Sequence, residues 1–291
     1  MYAIEDGITQ SLLATWVRCR QEAAYVLDGW ESAAPKRALQ VGSLMHEVVA
    51  NWHGSGITKM PNHKWRKEAV QAGDDLAQVE NDLAMVAALL PGYITQSRKK
   101  DKKRKWVDVE RLFDVNWNGY RLRGRVDGLF QVGKKFWLLE TKTTSRIDEE
   151  ALKLALNFDF QSMFYTVAMH QYLGKPIAGV LYNLIRKPQL RCGKAETQPM
   201  FWKRVADDII KRPDWYFVRF EVKFSKKQLA AFEQELDHKL FHFKKWVAGQ
   251  SHTYKNESAC RSRWNCSYLK ACGTGCMDGY KQTKKLFSEL D

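Results

Sequence analysis

Three side chains in one short stretch have the types and spacing for chemistry on phosphate: Asp127, Glu140 and Lys142. Residues 107–115, 120–132 and 136–144 read as three successive strands, with Asn118-Gly119 a tight-turn signal and a short connection at Gly133-Lys134-Lys135. Side chains alternate along a strand, so Leu138, Glu140 and Lys142 share one face while Trp137, Leu139 and Thr141 share the other. Asp127 lies on the neighbouring antiparallel strand and can come opposite this pair at roughly 5 Å between Cβ atoms. Two carboxylates that close repel unless a cation bridges them, and hard carboxylate oxygens suit Mg²⁺ or Mn²⁺. The expected chemistry is metal-assisted hydrolysis: Asp127 and Glu140 hold the ion, the ion lowers the pKa of a bound water, and Lys142 positions that water or stabilises charge on the phosphate. The plain alternative is a solvated Asp, Glu and Lys on a sheet face.

Two further segments extend the pattern: Gly42-Ser43-Leu44-Met45-His46-Glu47 upstream, and Gln161-Ser162-Met163-Phe164-Tyr165 on a helix read over 149–173. With them, nearly the whole sequence resembles the PD-(D/E)XK nuclease superfamily, specifically the RecB-like or CRISPR-associated-type exonuclease branch that carries an iron-sulfur cluster, in a phage-encoded form. The resemblance implies an α/β, restriction-endonuclease-like core with a mixed central sheet flanked by helices, a helical N-terminal part and a cysteine-rich C-terminal closure. It also implies a metal set of His46, Asp127, Glu140 and Thr141. Gln161 and Tyr165, four apart on one helix face, join Asp127, Glu140 and Lys142 as catalytic-site residues that orient DNA or the lysine. Glu110, on the first strand, is similar to an acidic residue often found there. Val126 stands where the family label has proline, a position that carries no chemistry.

Six cysteines occur: Cys19, Cys192, and Cys260, Cys266, Cys272 and Cys276 bunched near the end. No signal peptide and no run of ~20 apolar residues is visible, so a reducing, cytoplasmic setting is expected in place of a disulfide framework or a membrane. Clustered reduced thiols usually bind metal. Cys260-x5-Cys266-x5-Cys272 lacks the Cys-x-x-Cys steps of a zinc ribbon, whereas four thiolates suit a [4Fe-4S] cluster; zinc and no metal stay open. By resemblance, Cys19, Cys260, Cys266 and Cys272 are the ligands, clasping the two chain ends, and Cys276 is a possible replacement for one of them. The better-known form has a Cys-x-x-Cys step in its terminal trio, which this sequence lacks. The cluster's role would be structural, since tying remote segments together removes unfolded-chain freedom. Cys192 reads as a spare thiol.

Charge agrees with a nucleic-acid partner: 47 Lys and Arg against 33 Asp and Glu give a formal +14. The densest run, residues 98–105, is either a backbone-tracking patch or the solvated end of a helix and its loop. Arg186-Lys187-Pro188 would place charge at a strand end. Two near-motifs drop out. Gly128-x4-Gly133-Lys134-Lys135 lies between strands and has Lys where a phosphate loop needs Ser or Thr, and Ala50 stands where an HExxH motif needs its second histidine.

The chain divides into a helical region and insertion over 1–105, a nuclease core over 106–248, and a closure over 249–291 that packs on the N-terminal region. Gly29 or Pro35 ends the first helical part. Within the core, strands at 177–186 and 215–224, a helix near 199–211 and a helix from an N-capping Ser225 to Val247 complete the reading. The expected function is divalent-metal-dependent exonucleolytic hydrolysis of DNA at ends or in single strands, in recombination, repair or phage DNA processing, with a possible helicase or recombinase partner. The alternatives are a structure-specific or nicking endonuclease and a non-catalytic DNA-binding assembly factor.

Overall fold

The computed structural model describes residues 2–32, 37–261, 266–283, 286–287 and 290. Pro35, one of the two expected breaks, lies outside them. After a 3-10 turn at Ile4–Asp6 the chain forms α1 (Gln10–Arg18), α2 (Arg20–Leu27), β1 (Trp30–Ser32), α3 (Arg37–Ser55), α4 (Asn62–Ala72) and α5 (Leu76–Lys100). The central meander follows as β2 (Lys105–Trp117), β3 (Tyr120–Val132) and β4 (Lys135–Thr144). Next come α6 (Glu149–Leu156), α7 (Phe160–Leu173), β5 (Ile177–Arg186), α8 (Gln198–Lys211), α9 (Pro213–Tyr216), β6 (Phe217–Val222) and α10 (Lys226–Val247). The tail holds α11 (Glu257–Cys260), α12 (Leu269–Thr274) and β7 (Tyr280–Gln282).

Five strands make one mixed sheet in the order β2-β3-β4-β5-β6. Only β4 and β5 run parallel, and their connection passes through α6 and α7. The β2–β3 turn forms because Asn118 and Gly119 both tolerate positive φ, 50° and 86° here, and Asn116 Oδ1 accepts the Gly119 N–H at 2.8 Å. Apolar residues on the two faces make two cores. Leu129, Leu138, Val180 and Leu184 face α1, α7 and α10 through Leu12, Phe164 and Phe243. Phe130, Trp137, Leu139, Leu181 and Ile185 face α3, α5 and α8 through Leu44, Leu89 and Val205. The sheet thus stands between two helical layers.

Two expected boundaries move. The helix expected over 149–173 is two helices: Asn157 ends the first, and Asp159 caps the second by accepting the Ser162 N–H at 2.8 Å. The strand expected over 215–224 begins only at Phe217, because Pro213 opens the short α9. β1 and β7 pair antiparallel, Trp30 with Gln282, and so tie the tail to the N-terminal region. Among the described residues, no helix is long and apolar enough to cross a membrane.

Candidate active site

Where the β3–β4 pairing stops, a cavity of about 820 Å³ opens between α1, α3, α4, β2, β3, β4 and α7. His46, Glu110, Asp127, Glu140, Lys142, Gln161 and Tyr165 all line it. The β3–β4 pairing ends at Gly128 with Leu139, one step before Asp127 and Glu140. Beyond that step the Asp127 carboxylate takes over the ladder's work: its Oδ2 accepts the Thr141 N–H at 2.6 Å. Glu140 and Lys142 do share a face, with Nζ 2.5 Å from Oε1. Gln161 bridges the pair, donating from Nε2 to Glu140 Oε1 at 2.8 Å and accepting the lysine at Oε1 at 2.9 Å. Tyr165, one turn on, packs edge-on against Phe113 with ring centres 5.8 Å apart.

On the other side, α3 delivers His46. A glycine permits this approach: a Cβ at Gly42 would stand 3.3 Å from Thr143 Oγ1, while on β3 a Cβ at Gly124 would stand 2.6 Å from the Phe113 ring that Tyr165 packs on. His46 Nδ1 lies 3.5 Å from Asp127 Oδ2. Among the described residues, His46, Glu110 and Asp127 form the one group of His, Cys, Asp or Glu whose ligand atoms fall within 4.8 Å of one another. Glu110 sits between paired positions of β2, with φ at +49° for a non-glycine residue, and Arg125 Nε holds its Oε2 at 2.9 Å. A sequence carries no signal of that backbone twist, whereas Arg125 stood in plain view two residues before Asp127. Thr141 differs from its expected neighbours. Its side chain is fully buried on the opposite face, with Oγ1 accepting from Asn183 at 3.3 Å, so its main chain alone is turned to the site.

Every one of these groups has its pKa raised on balance, though burial and crowded acid compete differently at each. Burial first, then the Asp127 charge, pushes Glu140 up to about 7. Burial and Asp127 likewise raise Glu110. For Lys142, burial alone would lower the pKa, but Glu140 and Asp127 outweigh it and hold the amine above its usual value. His46 behaves the same way: burial pulls down, the Asp127 hydrogen bond and charge pull up, and the net shift is upward. Tyr165 is raised by burial and by both carboxylates, so it remains a protonated phenol. Such a surplus of acid around one half-buried point, with oxygen and imidazole donors, suits a hard divalent cation.

Behind Thr141 lies a buried polar network that periodicity does not reveal. Asn183, inside an apolar strand, donates to Thr141 and to the Tyr93 hydroxyl at 3.2 Å, while its Oδ1 accepts Arg219 Nε at 2.8 Å. Arg219 pairs with Asp101 at 2.7 Å, and Asp101 with Arg104 at 2.6 Å. His53 Nε2 meets Tyr93 at 2.8 Å. Arg186, expected to bring charge to a strand end, instead lies over the Trp215 ring, 3.7 Å from its centre.

The expected cluster ligands meet where the chain ends meet. Cys19 is buried between α1 and α2, and the thiols of Cys260 and Cys272 lie within electrostatic reach of one another and of Cys19 or Cys266. Burial raises Cys266 against a lowering hydrogen bond from the Tyr268 main chain, with the Glu22 charge and then the sulfur neighbours adding to the rise; burial likewise raises Cys272. Around them Asn256 donates to the Arg18 carbonyl at 2.7 Å, Arg20 to Ser251 at 2.7 Å, and Tyr268 stacks between Tyr25 and Tyr280. Cys276 follows α12, its N–H donating to Thr274 at 3.1 Å. Cys192 is exposed in a loop.

The profile of the PD-(D/E)XK nuclease superfamily matches residues 8–273. Among solved structures, the fold is similar to that of a putative exonuclease from Eubacterium rectale, at 12% identity and a TM-score of 0.55, covering 91% of this chain and 92% of that one. A phage related exonuclease from Haemophilus somnus 129PT aligns over 84% of this chain and 96% of its own at 10% identity and a TM-score of 0.38. No curated protein matches the chain.

Proposed function

Since the chain belongs to the PD-(D/E)XK nuclease superfamily, we propose that it is a divalent-metal-dependent DNA exonuclease, hydrolysing phosphodiester bonds at DNA ends or in single strands. One observation carries this reading: the ligand atoms of His46, Glu110 and Asp127 converge within 4.8 Å beside a Glu140–Lys142 ion pair. His46, Asp127, Glu140 and the Thr141 main chain would hold Mg²⁺ or Mn²⁺, with Glu110 as an added acidic donor. When bound, that ion supplies Lewis-acid charge to the phosphate and lowers the pKa of a water.

The remaining chemistry belongs to side chains of this protein. Lys142 is kept protonated by its acidic neighbours, so it acts as a cation and hydrogen-bond donor toward a phosphate oxygen or the attacking water, not as a base. Gln161 fixes the amine by bonding both members of the pair, which removes their rotamer freedom before substrate arrives. Tyr165, a neutral phenol in the same wall, offers a donor and a flat apolar surface to the strand.

For the second group, Cys19, Cys260, Cys266 and Cys272 are proposed to hold a [4Fe-4S] cluster. Zn–S bonds of about 2.3 Å would draw sulfurs to within about 4 Å of one another, while a cube of four irons spreads its ligands wider. These thiols influence one another, and their spacing lacks the Cys-x-x-Cys steps of a zinc ribbon, which supports the cluster reading. Its role is to brace the clasp. A phage or bacterial recombination setting, with a helicase or recombinase partner, belongs to the same reading.

The test mixes the purified chain, Mn²⁺ and end-labelled linear or circular single-stranded DNA. Degradation that spares circles supports an exonuclease. Cut circles make it an endonuclease, and no cutting of either makes it a DNA-binding assembly factor.

A further inference from the structure

The basic run at 98–105 has no role in the active site, and the structure gives it a shape. Arg98–Lys100 end α5, residues 101–104 turn, and Lys105 opens β2. The one acid in the run, Asp101, is neutralised from within by Arg104 and Arg219. Lys100 pairs with Asp214 at 2.7 Å. Among the described residues, no carboxylate pairs with Arg98, Lys102, Lys103 or Lys105, so the outward field is positive.

Within this run lies a notch of about 200 Å³, where Trp52, His53, Arg98, Lys102 and Trp106 stand around the Asp101–Arg104 pair. It is built from both aromatic and cationic parts. Trp106 stacks on the His53 ring at 3.8 Å between centres, and Arg98 lies over Trp52 at 5.0 Å. Burial, then the Arg219 and Arg104 charges, pushes His53 down to about 3, so this wall is neutral at ordinary pH. Arg104 keeps a buried Nε–H with no hydrogen-bond partner among the described residues, a donor whose desolvation is uncompensated.

The notch and the active cavity share two elements. On α3, Trp52 follows His46 by six residues, about 9 Å along the axis. On β2, Trp106 precedes Glu110 by four residues, about 13 Å. The two sites are thus separated by no more than a nucleotide or two of extended strand along these elements. Aromatic faces flanked by unpaired cations are the chemistry of an unpaired base with its phosphates, and base stacking does not depend on sequence.

We propose that this notch is a second nucleic-acid subsite, taking an unpaired base and the adjoining phosphates of the DNA strand whose scissile bond lies in the cavity. The nuclease reading supplies only the occupant of the cavity; the notch stands on its own walls.

The test measures fluorescence anisotropy of labelled oligothymidine with the full chain in EDTA, across a salt series, so that no cleavage is needed. Reversing two exposed charges, Lys102→Glu with Lys103→Glu, is expected to weaken binding at least tenfold. It should also flatten the slope of log affinity against log salt by about 0.7 per lost phosphate contact. Trp52→Ala should weaken binding roughly tenfold, in the range of one lost base stack, while Trp52→Phe retains most of the affinity. The matched reversal Lys226→Glu with Lys227→Glu, at the start of α10 on the other face of the sheet, should leave binding within about twofold. The proposal is overturned if the Lys102 and Lys103 reversal binds like the wild type, if the α10 reversal weakens binding equally, or if the wild-type chain does not bind oligothymidine. Should Trp52→Ala fail to fold, the lysine pair and Trp52→Phe still decide. A chain that binds through the notch yet cuts nothing refutes the nuclease reading alone; an active nuclease indifferent to these changes refutes the notch alone.

Discussion

His53 offers a measurable account of the buried network. The ring is 8% exposed, touches Tyr93 and Trp106, and faces the charges of Arg219 and Arg104. Its pKa falls from 6.5 to about 3 in the folded chain. For such a depressed base the stabilising contribution is complete above 6.5, and it is lost progressively as pH falls from 6.5 toward 3, because the unfolded chain takes up a proton that the folded chain refuses. From 6.5 to 5 the loss is 1.5 pH units at 1.36 kcal/mol each, about 2 kcal/mol. Glu140 works against it, since a raised acid favours the folded state below 4.5 and loses that contribution as pH rises through about 7. A comparison between variants cancels that opposing effect. His53→Gln removes the titration while still reaching the Tyr93 hydroxyl, at the expense of the Trp106 stack, about 0.5–1.5 kcal/mol. In urea unfolding of the metal-free protein, wild type should exceed the variant at pH 7.5 and lose about 2 kcal/mol of that difference at pH 5. A difference that stays constant within about 0.5 kcal/mol between the two pH values would refute a neutral, desolvated His53.

Three further outcomes are expected. Lys142→Ala and Glu140→Ala should each lower DNA turnover at least about 10²-fold, as removal of one preorganised charge does elsewhere, with circular dichroism unchanged; full activity in Glu140→Ala would break the assigned site. Glu110→Gln should raise the Mn²⁺ concentration needed for half-maximal activity several-fold while leaving saturating turnover closer to wild type, and an unchanged metal requirement would remove Glu110 from the site. Cys266→Ala should lower the soluble yield and abolish the brown colour and visible absorbance of the purified chain; a colourless wild type containing stoichiometric zinc would replace the cluster.

The strands were legible wherever a physical signal is local. Asn118-Gly119 demands positive φ and sets the β2–β3 register, and the apolar run of β5 has the length of a buried strand, so 120–132 and 177–186 match the structure. Alternation also placed Glu140 and Lys142 on one face. Where a single polar residue overrides a continuing apolar pattern the reading failed, as at Asp159, whose cap splits one expected helix into α6 and α7. Three-residue strands such as β1 and β7 contain no period to detect and exist because remote segments meet. The cavity assembles six residues named from motifs, yet the positive φ of Glu110 and the Asn183–Arg219 connection depend on long-range packing, and sequence spacing cannot encode them. Thr141 marks the same limit: alternation sends its side chain to the far face, and only the structure shows its N–H holding Asp127.

Leu290 forms part of the cavity wall, and its carbonyl accepts from Arg123 Nη2 at 2.8 Å. That position is therefore part of the doorway through which a strand must pass. A bulkier side chain there, as in Leu290→Trp, would narrow it, and activity lost in that variant with the fold retained would report obstruction, not damage to the catalyst.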